Sequence, residues 1–189
     1  MKPEIKKITE IAAGQSVICI IGSDDIPGSL SLTSSEKEYA DRQLKAKEAF
    51  VLINSYSSCT YLVRIKEDLP HYRIREELRR SAYNMRKMIR ENRHAEIVIS
   101  SYKAYKGAVE DFAEGLVLSF YSFIKYKTRE DDDAHKKHPE KILLHGDIDN
   151  AEIQWLNDIT DAAYFTRDLT REPVNHLNSP ALASEITKI

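Results

Sequence analysis

Short apolar runs and longer stretches of helical period follow one another along this chain. Residues 16–22, "SVICIIG", form a continuous apolar run closed by glycine. Such a run reads as a strand buried on both faces. The loop "SDDIPGS" comes next. The stretch "SSEKEYADRQLKAKE" is polar and free of Gly and Pro, and Ser34 or Ser35 can serve as N-cap, so a short exposed helix is predicted. The β-rich runs 49–53, "AFVLI", and 60–65, "TYLVRI", are joined by the polar "NSYSSC" and predict a hairpin.

Pro70 opens a long helix that ends near Arg93. Ile74, Leu78, Ala82, Met85 and Ile89 recur at steps of three and four, which makes one apolar stripe. Residues 96–100, "EIVIS", form another short strand. A second helix is predicted over 107–126, with Val109, Phe112, Ala113, Leu116, Val117, Phe120 and Ile124 in helical period. Gly115 interrupts it at a cost of about 1 kcal/mol relative to Ala, which points to close packing against a neighbour. After the acidic stretch "REDDDAHKKHPE" comes the strand 141–145, "KILLH". A last long helix starts near Ala151 and carries Ile153, Leu156, Ile159, Ala163 and Leu169. This order predicts an α/β fold: a mixed, mainly parallel sheet with helices on both faces and a hairpin supplying the antiparallel part.

The 189 residues suffice for one sizeable core. With 42% hydrophobic and 31% charged residues the balance is that of a globular chain. A net charge of −2 gives the chain as a whole no strong pull on nucleic acid or membranes. The apolar runs are far too short to span a bilayer, and the start "MKPEIKKITEIAAG" has no signal-peptide core, so a cytoplasmic location is the expectation. Cys19 and Cys59 form no CxxC pair and read as free, reduced thiols, at least one of them buried, since Cys19 lies in the apolar run.

Charge is unevenly spread. Helix 70–93 carries Arg73, Arg75, Arg79, Arg80, Arg86, Lys87, Arg90 and Arg93 against Glu76, Glu77 and Glu91. That permits a nucleic-acid reading. Only Tyr72 and Tyr83 accompany it as aromatics, so the simpler expectation is a solvated face, or one that meets an acidic surface of another domain or subunit. Arg75, Arg79, Arg86, Arg90 and Arg93 are expected to lie off the apolar stripe, in solvent. His135 and His138 form an H-x-x-H pair beside three carboxylates, but lysines separate them, and a solvated loop is favoured over a metal site. No two of the six glycines are close, so phosphate cradles are absent, as is a G-x-S-x-G elbow. His145-Gly146-Asp147 reads as a strand-ending turn. No catalytic, cofactor-binding or metal-ligating residue is assigned.

Two stretches carry a resemblance. In "LTREPVNHLNSPALA", Leu169, Pro173, Asn175, Leu177 and Ala183 match the pattern L-V-N-x-P-x-N-x-L-x-P-x-x-L-A, and Pro180 falls one place after its second proline. Arg171 stands where that pattern has asparagine. In "AEGLVLSFYSFIKYK", Glu114, Gly115, Leu118, Tyr121, Phe123, Tyr126 and Lys127 match E-G-x-x-L-x-x-Y-x-F-x-x-Y-K. Both patterns resemble those of the leucyl aminopeptidase family, also called cytosol aminopeptidases, the first being its domain junction and the second a helix of its N-terminal domain.

The resemblance implies an N-terminal domain over 1–170, macro-domain-like, with 171–189 as the junction and the start of a catalytic domain. Ser179 would cap the new helix and Pro180 suits its first turn. In the family the catalytic domain binds two divalent metals, zinc or manganese, within motifs such as N-T-D-A-E-G-R, and none of these motifs occurs in this chain. The implied partners are the chain's own catalytic domain, further copies in a hexamer, and a peptide substrate whose N-terminal residue, leucine-type, is removed. The implied role of this part is non-catalytic: shaping access and making oligomer contacts. Two other classes stay open: a macro-like module binding a nucleotide or ADP-ribose-like ligand, and nucleic-acid binding through helix 70–93.

Overall fold

A computed structural model describes residues 2–22, 25–65, 69–126 and 138–187. In chain order the elements are β1 (Glu4–Ile8), β2 (Val17–Ile21), α1 (Ser34–Lys45), β3 (Phe50–Asn54), β4 (Cys59–Arg64), α2 (His71–Glu91), β5 (Glu96–Tyr102), α3 (Ala108–Ser119), β6 (Lys141–His145), α4 (Asn150–Arg171) and α5 (Ser179–Ile186). One six-stranded sheet has the order β1-β6-β5-β2-β4-β3. Only β3 and β4 pair antiparallel; the other neighbours are parallel. The fold class expected from the apolar pattern is the one found.

All five residues of β2 are buried, because helices cover both faces of the sheet. On one face Ala40 and Leu44 of α1 pack with Val17, Cys19 and Ile21. On the other, Leu78, Ala82, Met85 and Ile89 of α2 join Phe112 and Leu116 of α3 and Leu156 of α4 over Ile18 and Ile20. The predicted stripe of α2 is thus its core face, with Ile74 half-buried at one end.

Four local readings are corrected. The N-cap of α1 is Thr33, whose hydroxyl accepts from the Glu36 amide while the Glu36 carboxylate bonds back to the Thr33 N–H. This reciprocal capping box favours Thr33 over Ser34 or Ser35. The cap of α5 is Asn178, which accepts from the Ala181 amide at 3.0 Å; Ser179 lies inside the helix.

β1 was not expected from the pattern. It is an edge strand with Ile5 as its one fully buried residue, and its lysines suit an edge that must resist further pairing. Lys2 secures the strand's start by an ion pair with Asp161 at 2.6 Å.

The helix predicted over 107–126 ends at Ser119. Groups distant in the chain take its last carbonyls. Tyr164 Oη donates to Val117 O at 2.8 Å, Arg167 to Leu118 O at 2.8 Å and Arg86 to Ser119 O at 3.2 Å. With those acceptors satisfied from α4 and α2, another helical turn has no need to form.

Candidate functional site

The two sequence stretches that carry the resemblance meet in space. The segment leaving α3 runs against the end of α4 and the turn into α5. Tyr121 Oη donates to Asp168 at 2.7 Å. Lys125 and Tyr126 both bond the Glu172 carboxylate. The Tyr126 ring stacks on His176 with centroids 4.9 Å apart. Between these pieces lies a cleft of about 740 Å³, lined among others by Phe123, Ile124, Phe165, Leu169, Leu177 and Ala181.

Charge and burial define its chemistry. The ammonium of Lys125, then the Tyr126 hydroxyl, hold the Glu172 carboxyl below the usual carboxylate range. The bond to Glu172 in turn raises the Tyr126 phenol. Burial, and then the bond to Asp168, push the Tyr121 phenol up to about 12. Both phenols therefore keep their protons at neutral pH and serve as donors rather than bases. The arrangement is a clamp that fixes how the chain leaves α4. Val174 and Ile186, further along the same segment, are exposed.

Of the five α2 arginines expected in solvent, Arg75, Arg79, Arg86 and Arg90 are only partly exposed. Asp111 of α3, only 3% exposed, receives Arg75 through both Nε and Nη2, at 2.9 and 3.0 Å. It also receives Arg79 at 2.7 Å and the Tyr105 hydroxyl at 2.8 Å. Arg79 reaches Glu114 as well, at 2.8 Å. The acidic surface these arginines meet is thus in the same domain. The spacing of Asp111 and Glu114, three residues apart on one helix, was the available sequence signal. Arg90 is half-buried with its guanidinium 5.5 Å above the Phe120 ring. Arg93 is exposed, as expected.

Other expected positions carry little chemistry. His138 stacks on Phe120 and faces the Pro139 carbonyl at 2.9 Å; His135 and the acidic run before it lie outside the described residues. Among the described residues no group of three or more His, Cys, Asp or Glu could hold a metal ion. Gly146, at φ 153°, makes the turn after β6. Cys19 and Cys59 are free, as expected, and both are buried, where at least one was expected to be.

The C-terminal ends of β2 and β5, where an open α/β sheet usually offers its ligand crevice, are pressed together. A Cβ at Gly22 would fall 2.0 Å from the Lys103 carbonyl oxygen. Glu110 and Asp111 occupy the first turn of α3 beside this point. With Asp111 matched by Arg75 and Arg79, Glu110 is the carboxylate left to oppose a phosphate at that helix end.

Comparison with known proteins matches this architecture. No family model matches the chain. A probable cytosol aminopeptidase of Sulfurihydrogenibium is 30% identical over 118 residues, covering 59% of this chain and 23% of that protein. The structure of a tomato leucine aminopeptidase mutant superposes with a TM-score of 0.67 at 13% identity, over 99% of this chain and 42% of that one. The chain is similar in sequence to a cytosol aminopeptidase and in fold to a leucine aminopeptidase. Caenorhabditis elegans leucine aminopeptidase superposes with a TM-score of 0.59 at 14% identity, over 98% of this chain and 40% of that one. The chain thus spans about a quarter to two fifths of the length of these leucyl aminopeptidases. Its fold is similar to their N-terminal domain.

Proposed function

We propose that this chain acts as the non-catalytic N-terminal domain of a two-domain metalloaminopeptidase that removes leucine-type N-terminal residues from peptides in the cytoplasm. Residues 1–170 are the domain and 171–189 lead toward the catalytic part. One observation carries the reading. Nearly the whole chain superposes on only about two fifths of a leucine aminopeptidase, so the likeness is to one domain of a larger enzyme. The clamp of Tyr121, Lys125 and Tyr126 on Asp168 and Glu172 supports it, because a domain that must present a second one in a set direction needs a rigid exit. In this role the domain shapes access to the catalytic part and contributes to oligomer contacts. The two divalent metals would be held by the catalytic domain, where they activate a water and stabilise the tetrahedral intermediate. No helix among the described residues is long and apolar enough to cross a membrane.

The pressed ends of β2 and β5 and the acidic first turn of α3 do not favour the nucleotide-binding alternative.

The test is leucine release from an aminoacyl reporter with Mn²⁺ or Zn²⁺, by the purified chain and by the same chain mixed with a separately expressed catalytic domain. No release by the chain alone, and altered assembly or activity of the mixture, is the expected result. Metal-dependent release by the chain alone, free of contaminating peptidase, would overturn the reading.

A further inference from the structure

We propose that the C-terminal part of α2, through Arg86, Arg90 and Arg93, is a docking surface for an acidic polypeptide segment. The proposal does not depend on the aminopeptidase reading. Neutralisation along α2 stops partway. Arg75 and Arg79 are matched by Asp111 and Glu114, and Arg80 by Glu76 at 3.0 Å. Beyond that point Arg86, Lys87, Arg90 and Arg93 share a cleft of about 360 Å³ with one carboxylate, Glu91. Glu91 leans toward Lys87 at 3.8 Å.

Among the described residues, none of Arg86, Arg90 and Arg93 forms an ion pair. Arg86 spends one N–H on the Ser119 carbonyl and lies 4.7 Å from the Tyr83 ring centroid. Arg90 is held against Phe120, and its buried Nε has no hydrogen-bond partner. Burial, and then the charge of Arg86, lower the Arg90 pKa. Two guanidinium groups are therefore kept near each other, one of them partly dehydrated. An incoming carboxylate gains most in such a place, since desolvation is already in hand and a guanidinium fork fits its two oxygens.

The helix C-terminus accounts for one cation and not for four, because the dipole acts over the last turn only. The same dipole decides between anions. A compact phosphate dianion would place its whole charge close to the negative end of α2. An extended acidic segment spreads single charges along the helix, over about 10 Å from Arg86 to Arg93. No aromatic lines the cleft: the Phe120 ring is covered by Arg90 and His138, and the nearby exposed Tyr83 has one face taken by Arg86. Charge complementarity therefore selects carboxylates of a polypeptide over a nucleic acid.

The test titrates the full chain with a fluorescent octaglutamate peptide, with pyrophosphate and a single-stranded oligonucleotide in parallel. Peptide binding that weakens with added salt is expected. The double change Arg86→Gln with Arg93→Gln should weaken it about tenfold or more, while Arg80→Gln, whose partner is Glu76, leaves it unchanged. Arg90→Lys, which keeps the charge and loses the fork, should weaken it to a smaller extent. Circular dichroism of each variant excludes unfolding. Absence of peptide binding, equal loss with Arg80→Gln, or tighter binding of pyrophosphate or the oligonucleotide at the same arginines would overturn the proposal.

Discussion

A Cβ placed on Gly115 of α3 would lie 2.6 Å from the carbonyl oxygen of Arg79 on α2, and 2.7 Å from its Cα. The two helices touch backbone to backbone there. Gly115→Ala gains about 1 kcal/mol in helix propensity. It also forces the helices apart, because a backbone atom cannot rotate out of the way. A net loss of roughly 1–3 kcal/mol is expected. Urea denaturation measures it; a stabilised variant would mean that α2 and α3 separate at little cost.

Leu78 and Arg90 sit on different parts of α2 and answer differently to charge. Leu78 is 3% exposed, so Leu78→Asp buries a carboxylate and loses packing. A loss of about 3 kcal/mol or more is expected, enough to unfold the chain. Arg90→Glu would be almost neutral on a solvated face. With Arg90 half-buried against Phe120 the expected loss is about 1–2 kcal/mol, since the stem's packing goes as well. Equal losses in chemical denaturation would show that the helix presents another face to the sheet.

Glu172 predicts an acid-sensitive clamp. Its folded pKa is depressed, by Lys125 first and Tyr126 second, with the charge of His176 adding. The stabilisation is therefore fully present above the ordinary value of 4.5 and is lost as pH falls through the lowered one. Hydrogen exchange over residues 173–187, corrected for intrinsic rates, should speed up below that pH. Glu172→Gln should show the faster exchange already at neutral pH. A variant with unchanged protection would show that the clamp does not hold the exit.

The thiol of Cys19 is pushed up to about 11 by burial, which the bond to Ser100 only partly opposes. Burial raises Cys59 as well. At pH 8 roughly one Cys19 in a thousand is thiolate, and neither sulfur is accessible. Alkylation should fail on the native chain and reach both cysteines after denaturation. Fast stoichiometric labelling of native protein would place at least one thiol at the surface.

The apolar rhythm was enough to read β2, β5 and β6, the β3–β4 hairpin and the core stripe of α2. In those places local pattern and burial coincide: "VICII" is apolar on both faces because both faces are covered. The family resemblance was legible for a similar reason, since its two motifs are each continuous in the chain. That the two motifs form one clamp was not legible. Tyr121 and Asp168, or Tyr126 and Glu172, are brought together only by the fold.

By itself, then, the sequence determined the identity of most elements, the α/β class and which face of α2 is apolar. Side-chain periodicity is a local property, and a helix or strand with one apolar face has one way to bury it. The tertiary structure decided the rest. It set the end of α3, whose last carbonyls are taken by Tyr164 and Arg167, 47 and 49 residues further along. It admitted the lysine-rich β1 to the sheet edge, where one buried isoleucine and the backbone ladder suffice. And it sorted the arginines of α2 into those neutralised by α3 and those left over. Charge pairing depends on which groups the packed helices bring within a few ångströms, and a list of charges along one helix holds no record of that.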